Sequence, residues 1–294
     1  YTPPALLMFM TGVSTESLYL SSCLWLPVYG YAMYGIGCTL YDRRTGFWAL
    51  AYLFSIPAFV DFSKQFPAEM ASHAAVLVAL LFLLSSDMLR RRGPSVGFAF
   101  ALALSLMTKS EVVAIWAAPL LFLSARIVMA RVTDGRKRLA GAAVGEADER
   151  FLNLAVVLVV LLAFLVPFAT ARNLHGIFHE RIATAGEGFT HGVRWFDPMF
   201  YVRAAFGRMY GGLHAALLVF GCVWFVISGQ LRDERKGFVA GLLVWVAVLI
   251  NLASGKFEIY CFNLFGFTAI IATFWLFRLR PWSLGAVAAL AVYT

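Results

Sequence analysis

The sequence predicts an all-α protein: a polytopic transmembrane helical bundle of about ten spans, with interfacial helices in its outer loops. Three observations predict it. Of 294 residues, 61% are hydrophobic and 14% charged, with a mean hydropathy of +0.79, whereas a soluble domain is about half apolar and a quarter charged. The apolar residues form long runs rather than the ten-residue alternating segments of a membrane β-barrel. The basic residues cluster in every second gap between runs: Arg43 and Arg44; Arg90, Arg91 and Arg92; Arg136, Lys137 and Arg138; Arg232, Arg235 and Lys236; Arg278 and Arg280. That alternation is the one the positive-inside rule imposes on helices that cross back and forth.

Taken in order, residues 1–18 read as a loop with a short surface helix, Pro3 and Pro4 suiting its first turn. The spans then run Tyr19–Leu40, Gly46–Val60, Met70–Leu89, Ser95–Thr108, Val112–Met129, Phe151–Ala171, Leu213–Gly229, Gly237–Ala253 and Tyr260–Phe277, with a last one starting at Leu284. Gly46–Val60 and Ser95–Thr108 are short, roughly 20–25 Å at 1.5 Å per residue. Short spans border water-filled or re-entrant cavities, because irregular backbone at depth needs a polar lining. The charge pattern puts loops 41–45, 90–94, 130–150, 230–236 and 278–283 in the cytoplasm and 1–18, 61–69, 109–111, 172–211 and 254–259 outside. Loop 130–150, polar and Gly/Ala-rich, reads as a mobile cytoplasmic connector. Loop 172–211 mixes aromatics with charges, the signature of short helices lying at the interface. The whole reads as one membrane domain over residues 1–294. Tyr1 is not an initiator Met and Thr294 falls inside an apolar run, so the sequence reads as an internal piece truncated at both ends.

Several classes are excluded. The net charge of +8 belongs to residues flanking spans and does not indicate nucleic-acid binding. Cys23, Cys38, Cys222 and Cys261 all lie in apolar runs without metal-type or C-x-x-C spacing, as small buried hydrophobes do. No dinucleotide, Walker, nucleophile-elbow or haem pattern is present.

The chemistry collects on the outer side. Segment 61–69 (DFSKQFPAE) carries Asp61, Lys64 and Glu69, with Pro67 opening the next helix. Glu69 falls in that helix's first turn, facing its positive end. It reads either as an ordinary helix-start charge or as a carboxylate that holds a divalent cation or orients a hydroxyl. Segment 107–111 (MTKSE) is a tight polar break in which Lys109 either pairs with Glu111 or faces a phosphate. Segment 254–260 (SGKFEIY) presents Lys256, which either snorkels to headgroups or binds a lipid-linked phosphate. All five histidines, His73, His175, His179, His191 and His214, fall on this side or at its membrane edge. His175 and His179 are spaced to share a helix face, as a metal pair can be, but no H-E-x-x-H pattern accompanies them.

The order of these pieces resembles the polytopic C-type glycosyltransferases, in particular the superfamily of protein O-mannosyltransferases and lipid A aminoarabinose transferases. Tyr1-Thr2-Pro3-Pro4-Ala5-Leu6 is similar to that family's His-Pro-Pro-Leu segment, with Thr2 where His is usual. Gly12-Val13-Ser14, the following span, and Asp42-Arg43-Arg44-Thr45-Gly46 match its next elements. Pro57, Ser63-Lys64 and Glu69 stand where the family has Pro, Ser-Arg and an acidic residue. Met107-Thr108-Lys109, with Pro119 in the span that follows, resembles its Leu-Thr-Lys break, and Lys256 to Tyr260 its Lys-x-x-x-Tyr element. The resemblance covers nearly the whole chain. It departs from the pattern at Thr2, Lys64 and Glu69, and the family's catalytic Asp would lie before Tyr1.

The resemblance implies an integral protein of the bacterial inner membrane that transfers a sugar from a polyprenyl-phosphate donor to an acceptor hydroxyl on the outer face. The acceptor would be a lipid, a glycan or a protein. It implies Lys256, Lys109 and Arg172 as cations for the leaving phosphate, with Asp61, Lys64 and Tyr260 lining the substrate site. Glu69 becomes the second carboxylate, aligning the acceptor or holding a magnesium or manganese ion, since metal dependence varies within such enzymes. The 172–211 loop would close over donor and acceptor. A transporter or flippase of lipid-linked sugars would use the same cations without a base. A membrane glycan polymerase or ligase would concentrate Arg and His in one large outer loop, which 172–211 also allows.

Overall fold

A computed structural model of the chain describes residues 15–65, 67–108, 111–139, 146–168, 203, 209–252 and 262–276. Among them are ten α-helices and no strand. In chain order they are α1 (Thr15–Leu40), α2 (Arg43–Phe54), α3 (Pro57–Gln65), α4 (Pro67–Ser85), α5 (Arg92–Thr108), α6 (Glu111–Leu139), α7 (Glu146–Phe168), α8 (Gly211–Ile227), α9 (Glu234–Leu252) and α10 (Phe262–Thr273). A single 3₁₀ turn, Gln230–Arg232, separates α8 from α9.

The expectation of about ten spans is not what the described residues show. Two helices are long and apolar enough to cross a membrane, Val112–Thr133 in α6 and Ala147–Val166 in α7. A third results if α2 and α3 count as one broken span. Outward-facing side chains have the character of lipid-contacting surface: Leu121 is 72% exposed, Met129 68%, Val166 66% and Ile227 74%. Apolar surface on this scale would mark an interaction face on a soluble protein.

Several boundaries also differ from the sequence reading. Gly46–Val60 is not one short span but two helices meeting at 75°, because Pro57 has no N–H to give and biases Ile56 away from helix. The segment 61–69 is mostly helix rather than loop, α3 continuing to Gln65 and α4 beginning at Pro67. The 130–150 connector is helical through Leu139 and again from Glu146. Arg131 joins its two arms, 3.4 Å from Asp148 and 3.8 Å from the Phe151 ring centre. At 29 residues α6 is about 43 Å long, more than a hydrocarbon core requires. Of the loop 172–211 with its expected interfacial helices only residues 203 and 209–211 are described, and the span from Leu284 lies outside the described residues.

Chain packing forms two compact units, Tyr1–Leu77 with His191–Thr294, and Val78–Thr190. In the first, α1 packs on α2 and α3, and α10 on α2, α8 and α9. Glycines permit the closest crossings. A Cβ on Gly37 of α1 would stand 2.6 Å from the Gly46 Cα of α2, and one on Gly221 of α8 would stand 2.2 Å from the Ile271 carbonyl oxygen of α10. Asp42 starts α2 by accepting the Thr45 N–H at 2.7 Å, an N-cap bond that satisfies a first-turn donor. Asp233 does the same for α9, accepting from Arg235 and Lys236 at 2.9 and 3.1 Å.

In the second unit α5 packs on α7 and α6, and Phe98 meets Trp116 with ring centres 5.6 Å apart. Its distinctive feature is the turn after α4. Asp87, Met88 and Leu89 all have positive φ, 52°, 57° and 72°, in the left-handed region that non-glycine residues rarely adopt. Three consecutive residues are held there by side-chain bonds. Ser86 Oγ accepts the Leu89 N–H at 2.9 Å, Arg150 Nε donates to the Met88 carbonyl at 3.1 Å, and Asn153 Nδ2 donates to the Leu89 carbonyl at 2.8 Å. Met88 and Leu89 are buried beneath it. The sequence reading carried the span to Leu89 because the apolar run continues that far; the helix ends at Ser85.

Two measurements check this packing. Asn153→Leu should leave the Leu89 carbonyl without its donor and cost about 1–3 kcal/mol, read as a lower unfolding midpoint in detergent. An unchanged midpoint would mean the turn does not depend on α7. Gly221→Ala should cost a similar amount, about 1–3 kcal/mol, through overpacking. Gly241→Ala, where no atom lies within 4 Å of the added Cβ, should be neutral or stabilising. Equal effects at the two glycines would contradict the close α8–α10 crossing.

Candidate functional site

The first unit gathers polar side chains at the break between α2 and α3. Pro57 ends the α2 hydrogen-bond ladder, so the last α2 carbonyls need other donors. Ser55 supplies one: its N–H reaches the Ala51 and Tyr52 carbonyls at 3.1 and 3.2 Å, and its hydroxyl donates to the Tyr52 carbonyl at 2.8 Å. Ile56 donates to the Leu53 carbonyl at 3.2 Å. The same Ser55 Oγ lies 2.8 Å from Nε2 of His214, in the first turn of α8. Tyr52 returns the contact, donating its hydroxyl to the His214 carbonyl at 2.8 Å while its ring meets the imidazole edge-on at 5.1 Å. Tyr52 and His214 are 0% and 1% exposed, so the bond between them is buried, while the one to the half-buried Ser55 is partly so.

Aromatic contacts extend the cluster across the unit. Tyr210, just before α8, reaches Thr268 of α10 through its hydroxyl at 2.7 Å, and Thr268 in turn donates to the Phe265 carbonyl at 3.0 Å. The Tyr210 ring packs on Phe265 at 5.3 Å. Phe265 faces Phe59 of α3 at 6.2 Å, and Phe59 meets Tyr29 of α1 at 5.2 Å. Helices α1, α2, α3, α8 and α10 thus converge on the break. Sequence reading noticed His214 only as a histidine at a membrane edge. Its partner Ser55 stands 159 positions away, and no spacing rule links the two.

Of the residues expected to carry chemistry, Asp61, Lys64 and Glu69 lie on α3 and α4. Asp61 is exposed on α3, two positions past the buried Phe59. Lys64 falls in the last turn of α3, and Glu69 is the third residue of α4. Lys109, Arg172, Lys256 and Tyr260, the two histidines His175 and His179, and the loop 172–200 lie outside the described residues. Thr108 ends α5 and Glu111 begins α6, so the polar break expected at Lys109 does separate two helices. Among the described residues no three His, Cys, Asp or Glu side chains come together as a metal centre would require.

No known protein family matches the chain, and no curated protein does. Solved structures do. The chain is similar to ArnT from Cupriavidus metallidurans bound to undecaprenyl phosphate, with a TM-score of 0.69 and 16% identity, covering 99% of this chain and 51% of that one. It is similar to the same protein in its apo state with a TM-score of 0.62 and 15% identity, over the same shares of the two chains. The chain therefore spans about half the length of these neighbours. At such identity the likeness is one of fold: the chain shares the helical fold of ArnT.

Proposed function

We propose that this chain is the membrane portion, or part of it, of a glycosyltransferase that moves a sugar from a polyprenyl-phosphate-linked donor to an acceptor hydroxyl at the outer face of the bacterial inner membrane. The observation that carries the reading is the shared fold over 99% of the chain with an ArnT captured on undecaprenyl phosphate. ArnT is a lipid A aminoarabinose transferase, and undecaprenyl phosphate is what remains of such a donor once the sugar has left. The ordered motifs from Pro3-Pro4 to Lys256–Tyr260 point the same way independently of the fold.

The residues suit the chemistry. The donor's tail stays in the bilayer, so its phosphate lies at the membrane edge, where charge interactions are stronger than in water. Lys109, Lys256 and Arg172 are assigned to that phosphate. They stabilise the charge that grows on its oxygen as the bond to the anomeric carbon breaks. The acceptor oxygen attacks that carbon from the opposite side, inverting it, and gives its proton to a base. On the resemblance that base is an Asp outside residues 1–294. Glu69 is assigned to align the acceptor, with Asp61, Lys64 and Tyr260 lining the substrate site. Glu69 is also the residue that would hold a magnesium or manganese ion where one is used, supplying a further positive charge toward the phosphate. The acceptor class follows from none of these residues: lipid, glycan and protein hydroxyls are all served by the same base and cations.

Two variants of the full-length protein test the assignments. Glu69→Gln should lower the transfer rate about 100-fold or more while leaving the unfolding midpoint in place, since the residue stands at a helix end. Near-normal turnover would remove Glu69 from the reaction. Lys256→Ala should raise the apparent KM for the polyprenyl-phosphate donor roughly tenfold or more and leave that for the acceptor unchanged. An unaltered donor dependence would return Lys256 to the role of a headgroup anchor, and donor crossing the bilayer intact would favour a flippase.

A further inference from the structure

The polar contacts at the α2–α3 break do more than satisfy carbonyls. They fasten together two segments that the transfer reading uses. One is α3, which carries Asp61 and Lys64 and leads through Gln65 and Pro67 into the turn of α4 that holds Glu69. The other is the end of loop 172–211, which enters α8 at Tyr210 and Gly211.

The direction of α3 is set at its first residues. Ile56 and Phe59 are both 0% exposed, and Phe59 sits among Tyr29, Phe54 and Phe265. Ser55 stands at the 75° bend, and its hydroxyl reaches α8 through its side chain, as does that of Tyr52. On the α8 side, His214 answers with both its ring and its carbonyl, four residues after Tyr210.

We infer that Ser55 and His214 are positioning residues for the transfer reaction. Their hydrogen bond, beside that of Tyr52, locks the α2–α3 corner to the first turn of α8, so that α3, which carries Asp61, and the start of α8 at Tyr210 are held in one register. The inference rests on the transferase reading for the reaction, and on the described geometry alone for the lock. Neither residue touches substrate. Their effect is on orientation, where a misplacement of about 1 Å can cost about 100-fold in rate.

The test uses the full-length protein in liposomes with a synthetic undecaprenyl-phosphate sugar as donor. Ser55→Ala and His214→Leu should each lower kcat about tenfold to 100-fold with the donor KM within about twofold. The double variant should be no slower than either single one, because both remove the same bond. His214→Gln, which keeps a polar atom near the position of Nε2, should recover most of the rate. Hydrogen exchange at residues 58–65 should speed up in Ser55→Ala and His214→Leu and return toward wild type in His214→Gln. A wild type that transfers sugar while both single variants keep its kcat would overturn the positioning role. So would losses that add in the double variant, or exchange in α3 that does not respond. A wild type that transfers no sugar, with α3 exchange still responding to the variants, would overturn the transferase reading instead and leave the lock standing as geometry only.

Discussion

A helix that breaks inside an apolar body has to find donors for the carbonyls it frees, and in the first unit of this protein the residues that meet that demand also tie the break to α8. Pro57 stops the α2 ladder. Ser55 then turns back onto the Tyr52 carbonyl and outward to His214, while Tyr52 reaches the His214 backbone. The donors to the α2 carbonyls come from Ser55 and Ile56 within the break, and the same Ser55 hydroxyl and the Tyr52 hydroxyl reach α8, which must pack close enough to meet them. Glycines at the α1–α2 and α8–α10 crossings supply that closeness. The aromatic series from Tyr29 through Phe59 and Phe265 to Tyr210 fills the remaining space with contacts that tolerate an oblique corner better than a regular helix interface would. The bent corner is thus paired and packed on its α1, α8 and α10 side, and it is the place from which the carboxylate-bearing segment sets out.

The same logic governs the second unit at its left-handed turn. Three residues without glycine's freedom hold positive φ because Arg150 and Asn153 of α7 bind the carbonyls that the turn presents. Strain of this kind persists where surrounding contacts over-determine the backbone. Both units therefore spend polar side chains on irregular backbone, and both do so with residues distant in sequence. The functional proposal adds that one of these irregular points lies next to the segment where the chemistry is expected.

Helix order and type could be read directly from the chain, because runs of apolar residues punctuated by Arg clusters have few other solutions. Pro67 as the first residue of α4 and the separation of α5 from α6 around Lys109 were legible for local reasons, a proline's fixed φ and a short polar interruption. The division of Gly46–Val60 into two helices was not, because the segment is apolar throughout and a proline within a run is compatible with a kink or a stop. The turn at Asp87–Leu89 was invisible: Met and Leu have no preference for left-handed backbone, and what holds them there arrives from α7. The 130–150 segment misled through its Gly and Ala content, which suits a loop by composition and a helix by alanine's propensity. For the site, Asp61, Lys64 and Glu69 are placed by the helices that carry them, whereas the pairing of Ser55 with His214 depends on tertiary structure alone.

The central claim is that a polyprenyl-phosphate sugar is consumed as a glycosyl donor. The most direct measurement is to supply the purified full-length protein in liposomes with doubly labelled donor, sugar and lipid carrying different isotopes, together with cell-envelope material as acceptor. The account requires the sugar label to move to the acceptor while the lipid label appears as undecaprenyl phosphate, one for one. Donor recovered with both labels still joined, whether in place or carried across the bilayer, would contradict it.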